Sequence, residues 1–425
     1  MLLEKPSLFT TKRDGFTFLS IICFILFYSL LIEYNNYKIL NRFDSAIVEA
    51  TIIKQYIKTK KSKTNKIRIY QVLKLKSDDG YMFYTTKNTK FPYSKGKRVK
   101  LEIFIDSLSF YEYFKSFYVP SKIIKVYNNF SYKKSLESYI ESQHLDSKIS
   151  NIYKALYLAK PLEFELQQRF SSLGISHLFA ISGFHLGIFS ALLFFIIGYP
   201  YRILQNNFFP YRNSKLDISV LVIILLFSYL IFLDSPPSLL RAFVMLVVGF
   251  IIYDRGLKVL SVQTLLLTVL IILAFFPRLL FSIGFWLSVL GVYTIFLFLI
   301  HFKNSNKILQ FIFIPIVVYM LMLPYSLYIF SNFSIYHPFS IILTSLFTIF
   351  YPLSMILHIV GFGGGLDSML NILLEFKIEN ISILLDTKFI LLHTILLLLA
   401  MWKKSFFVVV LLYSVWIFIY ALRFI

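Results

Sequence analysis

From His177 to Ile425 the chain is almost wholly apolar, broken only by short polar turns. A helix needs about 20 predominantly apolar residues to cross about 30 Å of hydrocarbon. A run this long has no soluble core to bury itself in, so the sequence predicts a bundle of membrane helices. Candidate spans are 177–199, 218–233, 239–253, 259–276, 282–300, 308–330, 339–360, 389–402 and 406–422. Several are short and read as broken or tilted helices. Composition agrees: 57% of the 425 residues are hydrophobic and 15% charged, against about 25% charged in soluble domains. An ordinary soluble enzyme and a disordered chain are both excluded. The single cysteine, Cys23, rules out an intrachain disulfide and a Cys-based metal cluster.

A further span, 16–32, follows Lys5, Lys12 and Arg13. Glu33-Tyr34-Asn35-Asn36-Tyr37 is no small-residue cleavage site, so the segment reads as an uncleaved anchor with a cytoplasmic N-terminus. The fold expected is an α-helical polytopic membrane protein of about 8–10 spans with a small extracytoplasmic β-rich domain near the N-terminus. Alternate crossing puts Arg202, Arg212, Lys215, Arg255, Lys258, Lys303 and Lys307 inside. Asp234, Arg278 and residues 331–337 fall outside, as the excess of cations in cytoplasmic loops requires. Lys403-Lys404 breaks the pattern, and Gly361-Phe362-Gly363-Gly364-Gly365 with the amphipathic 369–385 reads as interfacial. The segments are 1–34 (tip and anchor), 35–118 (β-rich), 119–176 (mixed, partly amphipathic helix), 177–360 (membrane core), 361–388 (interfacial) and 389–425 (terminal helices).

In the β-rich segment Ile67, Ile69, Leu73 and Leu75 alternate with Arg68, Tyr70, Lys74 and Lys76. Asp79-Gly80 supplies a hairpin turn, Tyr81-Met82-Phe83-Tyr84 returns, and Val99, Leu101, Ile103 and Ile105 alternate again. Strands are expected over 45–107, with helix from Lys122 onward. Between Lys54 and Lys100 the net charge is +13, with Tyr56, Tyr70, Tyr81, Tyr84 and Tyr93 interleaved. Cations follow a polyphosphate backbone and aromatic faces stack unpaired bases. The candidate contacts are Lys58, Lys60, Lys61, Lys63, Lys66, Arg68, Lys95, Lys97 and Arg98. A soluble basic face, or one leaning on anionic lipid, fits the same charge.

Polar groups inside membrane segments are costly and mark functional candidates. Gly174-Ile175-Ser176-His177-Leu178-Phe179-Ala180-Ile181-Ser182-Gly183-Phe184-His185-Leu186-Gly187 packs two histidines, two serines and glycines into one membrane entry. Asp234-Ser235-Pro236-Pro237-Ser238-Leu239-Leu240-Arg241-Ala242 breaks the chain, with Ser238 placed to cap the next helix and Arg241 just inside it. Phe281-Ser282-Ile283-Gly284-Phe285-Trp286-Leu287-Ser288 is the third. Helix packing, and an arginine snorkelling to headgroups, explain the same residues without a function.

Together, GISHLFAISGFHLG, PPSLLRA and GFWLS, in this order and led by PLEFELQQRFSSL at 161–173, resemble the competence domain of the ComEC family. The resemblance covers roughly 151–360. It implies an inner-membrane channel for DNA uptake in natural transformation, with an OB-like domain after the first anchor. Two departures stand out: Pro236-Pro237-Ser238 replaces the usual Ser-Pro-Ser, and Trp286 stands for the usual glutamine. No His-x-His-x-Asp-His string occurs, so the chain reads as a short member without the C-terminal metallo-β-lactamase-like nuclease.

On this reading Ser176, His177, Ser182, Gly183, His185, Ser238 and Arg241 line a hydrated path for single-stranded DNA, without covalent chemistry, cofactor or metal. The implied partners are a periplasmic competence DNA receptor, a cytoplasmic motor or single-strand-binding protein, a separate nuclease, and the lipid bilayer. No G-x-x-x-x-G-K-[ST] string is present, so ATP binding of that kind is not encoded. The alternatives are a small-solute or ion transporter, a serine hydrolase built on Ser182 with His185 or His177, and a lipid-binding scaffold.

Overall fold

The computed structural model describes residues 11–61, 67–89, 91–92, 94–127, 132–160, 162–179, 181–233, 235–254, 261–375 and 381–424. Lys5, Lys63, Lys66, Tyr93, Pro161, Ala180, Asp234, Arg255 and Lys258, named above, lie outside the described residues. The chain divides into two compact units, one of residues 15–136 and 271–282, the other holding the remaining helices.

The first unit contains most of α1 (Lys12–Leu40), then β1 (Ser45–Lys61), β2 (Ile67–Ser77), β3 (Met82–Lys87) and β4 (Arg98–Phe104). After these come α2 (Phe110–Lys115), β5 (Phe117–Tyr118) and β6 (Ser121–Tyr127). Helix α1 runs through the polar 33–37 stretch to Leu40. Its end is held by tertiary contacts: Tyr37 donates to the Leu108 carbonyl at 2.7 Å and packs on the Phe110 and Tyr113 rings.

The sheet order is β5-β3-β2-β1-β4-β6. Its two outer strands are one piece of chain: β5 pairs parallel with β3, then Val119-Pro120 leads into β6, which pairs antiparallel with β4. Period-two alternation turns Ala50, Ile52, Leu73, Leu75, Phe83, Val99, Leu101 and Ile103 inward, all fully buried. Gly80 takes φ +91° in the β2–β3 turn, a conformation open to glycine at no steric cost. Strand β6 corrects the expectation of helix from Lys122. Its Ser-Lys-Ile-Ile-Lys-Val-Tyr supplies the ladder partners of β4, with Leu101 opposite Ile123 and Val99 opposite Val126.

Residues 271–282 pack in the same unit. Arg278, in a 3₁₀ turn (Pro277–Phe281), forms a two-pronged ion pair with Glu33, Nε to Oε1 at 2.7 Å. Its guanidinium lies 4.6 Å from the Tyr113 ring centroid.

The second unit opens with short helices α3 (Tyr132–Glu141), α4 (Ser147–Leu158) and α5 (Phe164–Ser172), α3 straddling the division. Then come α6 (Gly183–Phe208), α7 (Ser214–Phe232), α8 (Pro237–Asp254) and α9 (Val262–Phe275), the last also straddling the division from residue 271. They are followed by α10 (Ile283–His301), α11 (Lys307–Phe330), the two-residue strand β7 (Asn332–Phe333) and α12 (Phe339–Val360). After a 3₁₀ turn (Gly363–Leu366), α13 (Asp367–Glu375), β8 (Ile381–Ser382), α14 (Thr387–Leu399) and α15 (Lys404–Leu422) complete it.

Among the described residues seven helices are long and apolar enough to cross a membrane: α1, α6, α7, α10, α11, α12 and α15. The chain is a multi-pass membrane protein. Helices α9 and α14 are apolar but only 14 and 13 residues long, and at 1.5 Å per residue each rises only about 20 Å. Leu186, Ile218, Val222, Leu226 and Leu239 pack α6, α7 and α8 together. Leu297, Leu321, Leu397, Phe407 and Val410 join α10, α11, α14 and α15.

The span expected at 177–199 begins instead at Gly183 and runs to Phe208. Residues 173–182 are not helical. Their apolar side chains Leu173, Ile175, Leu178 and Phe179 are buried against α4, α5 and α12, with Phe179 stacked 4.0 Å from Phe170. Gly174 has φ +71°, and a Cβ there would lie 3.3 Å from the Ser340 Cβ on α12. The backbone conformation and the close approach both call for glycine.

Candidate functional site

In the second unit the three polar motifs converge. Gly183 opens α6 against α8, where a Cβ on it would meet the Ala242 Cβ at 3.3 Å. One residue before Ala242, the Arg241 guanidinium lies 5.9 Å from the ring centroid of Phe285 on α10. First, second and third motifs therefore form one continuous contact.

Ser182 and His185 stand together as a helix cap rather than as neighbours inside a helix. Ser182 precedes α6, its backbone N–H donates to His185 Nδ1 at 3.2 Å, and its Oγ is 3.0 Å from the same nitrogen. Because an N–H must find a lone pair, Nδ1 is the unprotonated nitrogen and Nε2 carries the hydrogen of the neutral ring. His185 Nε2 is buried and makes no hydrogen bond, with the backbone of Leu178 beside the ring. The Tyr351 ring stands edge-on to it at 4.5 Å.

Ser238 does not cap α8. That helix starts at Pro237, a position proline favours because its missing N–H would be unpaired anyway, and the Pro236 carbonyl accepts from Leu240 N–H. Ser238 sits inside the first turn, and Arg241 follows one turn in. Arg241 is 8% exposed, its Nε is buried without a hydrogen bond, and no carboxylate pairs with it among the described residues. His177 and Gly183 are exposed, and Ser176, Ser182 and Ser238 partly so.

In the first unit the cations and tyrosines fall on a two-stranded arm. A bulge at Ile53 resets β1 against β2, so that Lys54 faces Lys74, Tyr56 faces Val72, Lys58 faces Tyr70, and position 60 faces position 68. Alternation puts Lys54, Tyr56 and Lys58 on one face with Tyr70 and Lys74. Lys74 Nζ lies 5.2 Å from the Tyr84 ring centroid on β3, extending that face. Burial, then the nearby Tyr84 and Tyr70 phenols, raise the pKa of Tyr56. Lys60, Lys61 and Arg68 belong to the same arm by strand position.

Lys95, Lys97 and Arg98 divide. Arg98 is committed to Glu49 at 2.8 Å and to Asp78. Lys97 is exposed. Burial, and then the charge of Lys54, lower the pKa of Lys95. A glutamine pair ties this loop to the arm: Gln55 Nε2 donates to Gln71 Oε1 at 2.7 Å, Gln71 Nε2 to the Thr89 carbonyl at 2.9 Å, and Ser94 N–H to Gln55 Oε1 at 2.8 Å.

The sequence reading missed this pair, which only the bulge brings inward. It also missed a cluster of His144, His358 and Asp367, where two imidazole Nε2 atoms stand 2.9 Å apart. One signal for it was present, an ionisable histidine inside the 339–360 span.

Comparison with known proteins bears on the motif contact. ComE operon protein 3 of Bacillus subtilis (strain 168) is 30% identical over 172 residues, 40% of this chain and 21% of that protein. The match thus spans about a fifth of that relative's length. No solved structure matches. The family model described as "Competence protein" matches residues 159–424, which take in all three motifs and the helices that carry them, and the chain belongs to that family.

Proposed function

We propose that this protein guides single-stranded DNA across the inner, cytoplasmic membrane during natural transformation. The sheet unit, on the extracytoplasmic side, gathers the strand, and the helical unit carries it across. The observation that supports this best is the strand register of the arm. It sets Lys54, Tyr56, Lys58, Tyr70 and Lys74 on one face, alternating the cations that attract phosphates with rings that stack bases. The circuit of the sheet, in which one segment borders both β3 and β4, is consistent with an OB-like barrel whose basic β1–β2 arm contacts nucleic acid.

A phosphodiester chain cannot enter hydrocarbon bare, because an isolated ion there costs tens of kcal/mol by Born reasoning. Arg241, a buried cation that no carboxylate among the described residues pairs, suits a phosphate passing the motif contact. Ser176, His177, Ser182, Gly183, His185 and Ser238 supply polar or open surface around it. Weak, repeated contacts let the strand slide. The driving force is a cytoplasmic partner motor, a gradient, or ratcheting by a single-strand-binding protein on the cytoplasmic side, while a periplasmic receptor delivers DNA and a separate nuclease removes the other strand. Covalent chemistry at Ser182 is not part of this reading. His185 Nδ1 is occupied by the serine's own backbone N–H, and no carboxylate among the described residues orients the ring.

The test is a deletion strain given labelled duplex DNA. Label should reach a nuclease-protected compartment outside the inner membrane and stop there, and the wild-type gene should restore cytosolic label. Cytosolic label at wild-type level in the deletion strain would overturn the proposal.

A further inference from the structure

Away from the motifs, the α3–α4 connection meets the end of α12 and the start of α13. His358 Nδ1 is 2.7 Å from the Ser354 carbonyl oxygen. A carbonyl only accepts, so Nδ1 bears hydrogen and Nε2 holds the lone pair of a neutral ring. His144 Nδ1 lies 2.9 and 3.0 Å from the two Asp367 oxygens. Against an ionised carboxylate this nitrogen too must donate, which leaves a lone pair on His144 Nε2.

The two Nε2 atoms are 2.9 Å apart. A carboxylate and two neutral rings would therefore press lone pair against lone pair. One additional proton removes the conflict wherever it rests. Between the Nε2 atoms it makes an imidazolium paired with Asp367. On Asp367 it donates to His144 Nδ1, and His144 Nε2–H then donates to His358. The count of protons is the same in both forms.

We propose that His144, His358 and Asp367 form a buried site for one proton, and that losing this proton opens the joint between the α3–α4 connection and the α12–α13 turn. The site is enclosed: the His144 side chain is fully buried, and the Tyr153 ring stacks on it at 4.6 Å. Tyr157 approaches His358 Nδ1 at 3.4 Å while donating to Ser354 Oγ. From α3, Tyr139 and Gln143 hold the His358 carbonyl at 3.0 and 3.2 Å. Among the described residues, Asp367 is the charged group bonded to the pair. On the same short helices, Lys154 and Glu141 close on each other.

The geometry favours a proton over a metal ion. Nitrogens sharing a tetrahedral zinc at about 2.0–2.1 Å sit roughly 3.3 Å apart. Among the described residues no group of three or more His, Cys, Asp or Glu side chains could hold a metal ion.

The closed joint holds one extra proton, whereas the open one frees two imidazoles that are neutral above about pH 6.5 and both charged well below it, so stability is greatest near neutral pH and falls as the pH rises from there. The inference does not depend on DNA guidance. It gives the helices that precede Gly174 a pH-dependent attachment to α12, the helix Gly174 itself abuts.

Hydrogen exchange of the full chain in lipid nanodiscs tests it, followed in peptides over 139–147 and 356–368 between about pH 6.5 and pH 9, where free imidazoles are neutral. After correction for intrinsic exchange, opening should rise with pH by up to about tenfold per unit, the limit for one proton. His358→Gln places a permanent N–H donor toward His144 and should flatten the dependence. A wild-type joint indifferent to pH, or an unchanged slope in His358→Gln, overturns the proposal. Should that variant misfold, ¹⁵N-histidine NMR of the wild type decides. A hydrogen bonded between the two Nε2 nitrogens at neutral pH supports the site. Two bare Nε2 nitrogens, or one equivalent of zinc bound by the purified protein, overturns it.

Discussion

Arg241 holds its guanidinium 5.9 Å from the centroid of the Phe285 ring, and among the described residues no carboxylate pairs with it. A buried charge without a paired counter-charge is a cost to the fold, retained where it serves a ligand.

Arg241→Met should therefore leave stability unchanged or raised while abolishing DNA transfer. Thermal unfolding in detergent and transformation frequency, at matched protein levels, check the two halves. Normal transformation by Arg241→Met would remove this residue from the path.

Gly174→Ala should destabilise the helical unit by about 1–3 kcal/mol, the usual strain of a left-handed backbone with a side chain. The Ser340 contact at 3.3 Å adds to it. The check is the thermal midpoint of the full chain, with Gly187→Ala as comparison, since a Cβ there meets no atom within 4 Å.

The spans were legible because each is a long apolar run, and β1 to β4 because Leu73, Leu75, Val99, Leu101 and Ile103 alternate. The limits of legibility are physical. Residues 173–182 are as apolar as a span, yet Leu173, Ile175, Leu178 and Phe179 serve tertiary packing rather than lipid contact, and Gly174 takes a non-helical turn. Strand β6, Ser-Lys-Ile-Ile-Lys-Val-Tyr, does not alternate strictly; pairing with β4 decided it, and pairing is not local. The three motifs could be read as polar islands, while their meeting through Gly183, Ala242, Arg241 and Phe285 depends on how α6, α8 and α10 pack. His144 and Asp367 lie far apart in the chain, so no local pattern joins them.

Glu33→Gln should weaken the sheet unit by about 3–5 kcal/mol, because it strands the half-enclosed Arg278 charge. Replacing both residues, as Glu33→Gln with Arg278→Met, should cost less than Glu33→Gln alone. Denaturant titration of the three variants measures the coupling, and additive losses would show that the pair is inert.

Burial pushes the Tyr113 phenol up to about 12, with the Arg278 charge partly opposing. An acid whose folded pKa is raised stabilises the fold while both states are protonated. That stability is lost as the pH climbs from the unfolded value near 10 through about 12. Tyr113→Phe should therefore show a shallower fall in unfolding free energy over this window. An identical slope would contradict the assignment.

The most direct measurement of the central claim is the salt dependence of single-stranded oligonucleotide binding by the full chain in nanodiscs of zwitterionic lipid. Affinity should fall steeply with salt. Changing Lys54, Lys58 and Lys74 in turn to Gln should make the slope of log K against log salt shallower, by about 0.7 for each phosphate the protein ceases to neutralise. A slope near zero in the wild type, or one untouched by all three changes, would contradict a strand bound along the arm.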